Sequence, residues 1–174
     1  MKKLIIIVIV FLSLPLSAQE HMKFMDVPIN GSISQFTSAL KVKGFKLDKT
    51  IETSALMSGL FSLKGEKPET VKLLVFAMNS KNLVHSVQVW FPREDVRTHF
   101  FIFKEILNKI YGLYEFDSGL TNTENNEFIT IWKTVDGEIT LNANFTYEVV
   151  SITFSDKNNS ELFEKENNIN AFPN

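Results

Sequence analysis

Between Val84 and Gly112 the apolar positions change period. From Val84 to Phe91 they alternate, with Val87, Val89 and Phe91 set against Ser86, Gln88 and Trp90, as in a strand with one buried face. Beyond Pro92 the residues Val96, Phe100, Phe103, Leu107 and Ile110 recur at spacings of four and three, one stripe of an α-helix. Glu94 and Asp95 put negative charge at the start of that helix and Lys109 puts positive charge near its end, as the helix dipole favours. Gly112 stands where a left-handed cap is needed. A helix with one apolar stripe must lie on something apolar, and the remaining pattern describes a sheet.

A second helix signal lies upstream. Ser32 is followed three residues later by Gln35, the reciprocal capping pair, and Ile33, Phe36 and Leu40 share a face. Lys43-Gly44-Phe45 closes it, with Phe45 placed to touch Leu40. Before this helix, Gln19 to Asn30 reads as one short extended strand ending near Pro28, which lacks an amide for a ladder bond. After it, Lys46 to Ser54 is mostly polar and irregular, Met57 to Leu63 is a strand weakened by Gly59, and Lys64 to Thr70 is a turn. Val71 to Met78, apolar on both sides apart from Lys72, reads as a central strand.

Beyond the long helix, Asp117 to Asn126 is rich in Asn, Thr and Gly and reads as a mobile loop. Phe128 to Val135 and Glu138 to Phe145 flank Asp136-Gly137, a strong hairpin signal. Val149 to Ser155 is a further strand, Ser160 to Glu166 one or two helical turns, and Asn167 to Asn174 a frayed tail. Each half of the chain thus runs glycine-ended helix, polar stretch, three strands, with Gly44 and Gly112 68 residues apart. The expected fold class is α+β: an antiparallel sheet with helices on one face, built from tandem helix-plus-three-strand units.

The alternation also sorts the other face of the sheet. Ser86, Gln88 and Trp90 oppose Val87, Val89 and Phe91; Thr130, Trp132 and Thr134 oppose Ile129 and Ile131; Thr140, Asn142 and Asn144 oppose Ile139, Leu141 and Ala143. Ser151 and Thr153 complete it, and Leu74, Phe76 and Met78 add an apolar centre with neither side assigned. An uncharged polar surface carrying both tryptophans suits a protein partner or a sugar ring, so Trp90, Trp132, Gln88, Thr130 and Asn142 are the candidate partner-binding residues. Phe101 points to the polar side of the long helix and is expected beneath the tail, through Leu162 or Phe163.

The amino terminus changes the picture of where this happens. Met1-Lys2-Lys3, an apolar run from Leu4 to Leu12 and a small-residue exit at Ser17-Ala18 describe a secretory signal peptide over residues 1–18. The run is shorter than the roughly 20 residues of a spanning helix, and without a cysteine it cannot carry a lipoprotein anchor. Cleavage leaves a single α+β domain over 19–174, removes Lys2 and Lys3, and takes the formal charge from −2 to −4. The expected location is the periplasm or the exterior, with no membrane span after cleavage and no electrostatic attraction to nucleic acid. With no cysteine there are no disulfides, and sixteen phenylalanines supply the core.

Candidate chemistry is sparse. His21, His85 and His99 pair at no ligand spacing, so neither a metal site nor a cofactor is expected. His85, in register with Val87, reads as a satisfied, partly buried side chain. No glycine-rich phosphate loop follows a strand and no serine sits in a nucleophile elbow, so no catalytic residue is assigned.

The run from His21 to Gly31 entering Ser32-Ile33-Ser34-Gln35-Phe36, with the Val89-Trp90-Phe91-Pro92 segment and the long helix, resembles small exported proteins of Gram-negative gut bacteria. The doubled helix-and-sheet plan resembles the beta-lactamase inhibitory protein fold, whose concave sheet grips its partner with aromatic residues. That family carries disulfides and this chain has none. The resemblance implies a non-enzymatic, inhibitor-like periplasmic module that binds another protein on an open sheet face. The alternatives are a glycan- or envelope-binding module, and an enzyme whose site is assembled from distant residues.

Overall fold

The two halves expected from the pattern meet strand to strand. The computed structural model describes residues 21–47, 60–64, 72–77, 82–92, 94–118 and 126–171. The expected leader, most of the irregular stretch before Ser54, the start of the strand from Met57, the turn at 65–70 and most of the loop between Asp117 and Asn126 lie outside the described residues. In chain order the elements are β1 (Lys23–Phe24), β2 (Val27–Pro28), α1 (Ile33–Val42), β3 (Lys46–Leu47), β4 (Leu60–Lys64), β5 (Lys72–Ala77) and β6 (Val84–Pro92). They continue with α2 (Val96–Tyr111), β7 (Phe116–Asp117), β8 (Glu127–Lys133), β9 (Gly137–Asn144), β10 (Val149–Asp156) and α3 (Lys157–Ala171).

Strands β3 to β10 form one eight-stranded sheet in the order β3-β4-β5-β6-β10-β9-β8-β7, every neighbouring pair antiparallel. The order reads the same from either edge. Each half is a four-stranded meander that opens with a two-residue strand, and the last strands of the two meanders, β6 and β10, form the seam. The tandem plan therefore holds, with four strands in each unit rather than the expected three because a two-residue edge strand precedes each set, and the sheet is continuous.

Helices α1 and α2 cover one face. Phe36 and Leu40 of α1 and Val96, Phe100 and Leu107 of α2 share one buried cluster with Val75, Val87, Val89, Ile139, Leu141, Val150 and Ile152. The Ser32–Gln35 capping box forms, and the α1 terminus closes with Phe45 N–H donating to Leu40 O across Gly44 at φ 95°. Gly112 ends α2 at φ 83°. Ile110, expected in the core, is 64 % exposed. A 3.5-residue repeat drifts by about 20° per heptad on a straight helix, so two heptads rotate Ile110 off the buried side.

Two segments depart from their expected form. The lead-in is a hairpin rather than one strand: β1 and β2 pair around Met25 and Asp26, both left-handed at φ 51° and 64°. Neither residue carries the glycine signal that such a turn normally shows. Burial of Met22, Phe24, Val27 and Ile29 on its flanks holds it, with the Phe24 ring 5.4 Å from that of Phe154. The tail from Lys157 is a 15-residue helix that starts directly where β10 ends.

Gly137 opens β9 for a reason other than the expected turn. Its φ is not positive; instead, a Cβ there would lie 2.0 Å from the backbone oxygen of Ser155 on the neighbouring strand. Glycine permits that close approach of two backbones. Gly137→Ala is therefore expected to lower the stability by about 3 kcal/mol, the upper part of the overpacking range. Elsewhere in a strand the same change gains a few tenths to about 1 kcal/mol, so equilibrium urea unfolding distinguishes the two by sign.

Candidate functional site

Cross-strand partners share a face of a sheet, so the register fixes what lies opposite the helices. One rank runs Trp90, Ser151, Asn142, Ile129 across β6, β10, β9 and β8. The next runs Leu74, Gln88, Thr153, Thr140, Ile131 and Phe116 from β5 to β7. A third carries Phe76, Ser86, Ser155, Glu138 and Lys133. Lys72 of β5 stands opposite Trp90 at one end of the first rank; the rest of that rank, from β6 to β8, and the whole of the second contain no charged side chain. The two ranks are also tied together: the Trp90 indole Nε1–H donates to Gln88 Oε1 at 2.6 Å, and Gln88 Nε2 donates to Thr153 Oγ1 at 3.1 Å and Ser151 Oγ at 3.4 Å. Trp90, Gln88 and Asn142 are half-buried, each with its ring or amide on this face.

Trp132 and Thr130 are not on it. Register places Thr130 opposite Leu141 and Trp132 opposite Ile139, both core residues, so β8 shows Ile129 and Ile131 to the outside. Alternation alone leaves a strand such as Phe128-Ile129-Thr130-Ile131-Trp132 free to sit either way. Two large rings bury more surface than two isoleucines, and their polar neighbours are satisfied. Trp132 Nε1–H donates to Asn108 Oδ1 at 3.1 Å and to Gly112 O at 3.2 Å, while Thr130 Oγ1 donates to Asp117 Oδ1 at 2.8 Å. Lys104 Nζ completes the network 2.6 Å from Asp117 Oδ2. Of the five candidate residues the structure thus brings Trp90, Gln88 and Asn142 together and sends Trp132 and Thr130 beneath α2. Ile129, Ile131 and Phe116 join the surface instead, and Leu74 lies in the second rank but is buried.

The third rank is closed by α3. A cleft of about 520 Å³ lies between that helix and the strand ends, lined by His85, Ser86, Glu138, Ser155, Lys157 and Phe163 among others. His85 is not in Val87's row. Val84 and Val87 are both fully buried although three residues apart, because the β5–β6 register shifts between them. The extra residue, His85, stacks on Phe163 at 4.1 Å between centroids and lies 6.3 Å from Phe76. Phe163 is thereby committed to His85 and not to Phe101, whose ring instead packs beside Phe100 and Phe128 and stays partly exposed. Ser160 Oγ donates to the His85 carbonyl, not to its ring. Among the described residues no group of three His, Cys, Asp or Glu could hold a metal ion, and no helix is long and apolar enough to cross a membrane.

Burial lowers the His85 pKa from 6.5 to about 4. The unfolded chain then binds a proton that the folded one refuses between those values, so this contribution is complete above about pH 6.5 and is lost as pH falls towards 4. At full value it amounts to about 3 kcal/mol, and solvent at the half-exposed ring reduces it to about 1–2 kcal/mol. Urea unfolding at pH 7.5 and 4.5 is expected to show that much less acid loss in His85→Leu than in the wild type; equal losses would refute the assignment.

Comparison of the chain with family models, with curated proteins and with solved structures finds no match.

Proposed function

We propose that this protein is a non-enzymatic binding module of the bacterial envelope, and that the sheet face opposite α1 and α2, beyond the edge covered by α3, holds another protein. The observation that carries the reading is the pair of ranks around Trp90, uncharged across β6, β10, β9 and β8 and bordered by Lys72 on β5, with the indole held by Gln88 and the rim supplied by Ile129, Ile131 and Phe116. A fixed aromatic anchor among neutral hydrogen-bonding groups is how interfaces concentrate affinity, since little side-chain freedom is lost on docking. The signal-like amino terminus supports an exported location, and the sheet face needs no cofactor to act.

Capture from a periplasm-and-membrane extract of the source tests it, comparing wild type with Trp90→Ala and Ile131→Asp. Both variants lie on the free face and are expected to fold and to lose the partner. Trp90 fluorescence should shift blue with the extract and not with soluble polysaccharide. A shift with polysaccharide alone would transfer the surface to a glycan, and unchanged capture by both folded variants would end the proposal.

A further inference from the structure

The outer side of α2 is unusual for a helix that already buries one stripe. Ile102, Ile106 and Ile110, four residues apart, and Leu113 just past the cap form a second apolar row with 47, 45, 64 and 90 % of their surfaces exposed. Together they leave roughly 400 Å² of aliphatic surface to water, the size of patch that marks an interaction site. The row lies on the helix layer, on the opposite side of the sheet from the Trp90 face, so it is independent of the reading above.

We propose that the occupant of this row is a second copy of the chain, docked through α2 about a two-fold axis near Ile106, with the two helices antiparallel. Self-complementarity argues for it. Centred on Ile106, the pairing sets Ile102 against Ile110 of the second copy, so each isoleucine in the row meets another, while Leu113 lies level with His99 of the second copy. Glu105 and Lys109 flank the row on its solvent side, and among the described residues neither has a hydrogen bond or ion pair. The antiparallel pairing brings Glu105 of one copy within about 3 Å, along the helix axis, of Lys109 of the other, and does so twice. It also sets the two Glu105 side chains about 3 Å apart along the axis, but two opposite-charge pairs outweigh that one like-charge pair, whereas a parallel pairing sets Glu105 level with Glu105 and Lys109 level with Lys109. One acid and one base are also a poor match for an anionic lipid surface, which favours basic flanks. The isologous contact closes on itself and stops at two copies.

Pairing the rows and the stems of Glu105 and Lys109 removes about 1,000 Å² from water, near the low end of specific interfaces, so the dimer is expected to dissociate at about 10–100 µM. Sedimentation velocity of the purified protein from about 1 to 300 µM should show a monomer–dimer transition in that range. Ile106→Glu should abolish it. Glu105→Lys should weaken it at least about tenfold, and the double exchange Glu105→Lys/Lys109→Glu should restore it, a pattern that electrostatic pairing across the axis predicts. All these positions are exposed, and circular dichroism checks that each variant folds. The chain has no cysteine, so Ile106→Cys should give a single disulfide-linked dimer under mild oxidation. A wild type that stays monomeric throughout, a dimer indifferent to Ile106→Glu, or a double exchange as weak as the single one overturns the proposal.

Discussion

Trp132→Ala is expected to cost about 4–5 kcal/mol of stability, whereas Trp90→Ala should cost under about 1 kcal/mol. The two tryptophans stand at similar places in alternating strands, and the difference between them is entirely one of environment. Trp132 is 1 % exposed, under α2, with the ring of Tyr114 set edge-on at 6.3 Å. Its removal leaves a cavity of indole size between α2 and β8 and takes the donor from Asn108 Oδ1 and Gly112 O. The end of α2 thus loses packing and a tether in one step. Trp90 lies half-buried on the free face, and its hydrogen bond joins it to a side chain that water can serve as well. Urea unfolding followed by circular dichroism reads both, and Trp132→Phe, which refills part of the cavity, should fall between them at about 2 kcal/mol. Equal, small losses for both alanine variants would show that the face assignment of β8 is wrong.

Asp156→Ala should cost about 4 kcal/mol and loosen both ends of the chain together. The carboxylate is fully buried where β10 passes into α3. Oδ1 accepts from Asn159 N–H at 3.0 Å, capping α3, and Oδ2 accepts from Met22 N–H at 2.9 Å and lies 2.9 Å from His21 Nδ1. Asn159 in turn donates through Nδ2 to Ile29 O at 3.2 Å and Val84 O at 2.8 Å. One carboxylate therefore joins the amino-terminal hairpin to the carboxy-terminal helix, and its loss strands two buried backbone donors, each worth roughly 1–3 kcal/mol when left unpaired. Asp156→Asn keeps one acceptor for the cap but turns an amide towards Met22 N–H, so it should recover less than half of the loss. Hydrogen exchange is the specific readout: amide protection in Met22–Ile29 and in α3 should fall in parallel in Asp156→Ala, while protection in β8 and β9 changes little. Loss confined to α3 would mean that Asp156 is only a cap.

Asp156 also shows how far local signals could have reached. An aspartate at the end of an apolar strand, directly before a polar, helix-compatible stretch, is an N-cap signal, and it moves the start of the last helix from Ser160 to Lys157. The shift in β6 left no comparable trace. Its evidence is the three-residue separation of Val84 and Val87, which means nothing until both are known to be buried.

The elements legible in the residues alone are those whose cause is local. The helix from Ile33 carries its cap, stripe and stop within a dozen residues, and the long helix carries the same three marks. The strands β6, β9 and β10 alternate between aliphatic and polar side chains strongly enough that their buried sides follow without any partner in view. Matching order in the two halves was enough to anticipate a tandem α+β plan. What only the tertiary structure decided were choices between locally equal options. Strand β8 is apolar on both sides, so its facing depended on whether β9 offered Leu141 and Ile139 to Thr130 and Trp132 or to the isoleucines. Met25 and Asp26 take a backbone form that neither prefers because four buried neighbours hold it. Gly137 answers to a strand that approaches from nearly twenty residues away. Local rules act through a residue's own neighbours along the chain, and in these places the deciding neighbour was on another strand.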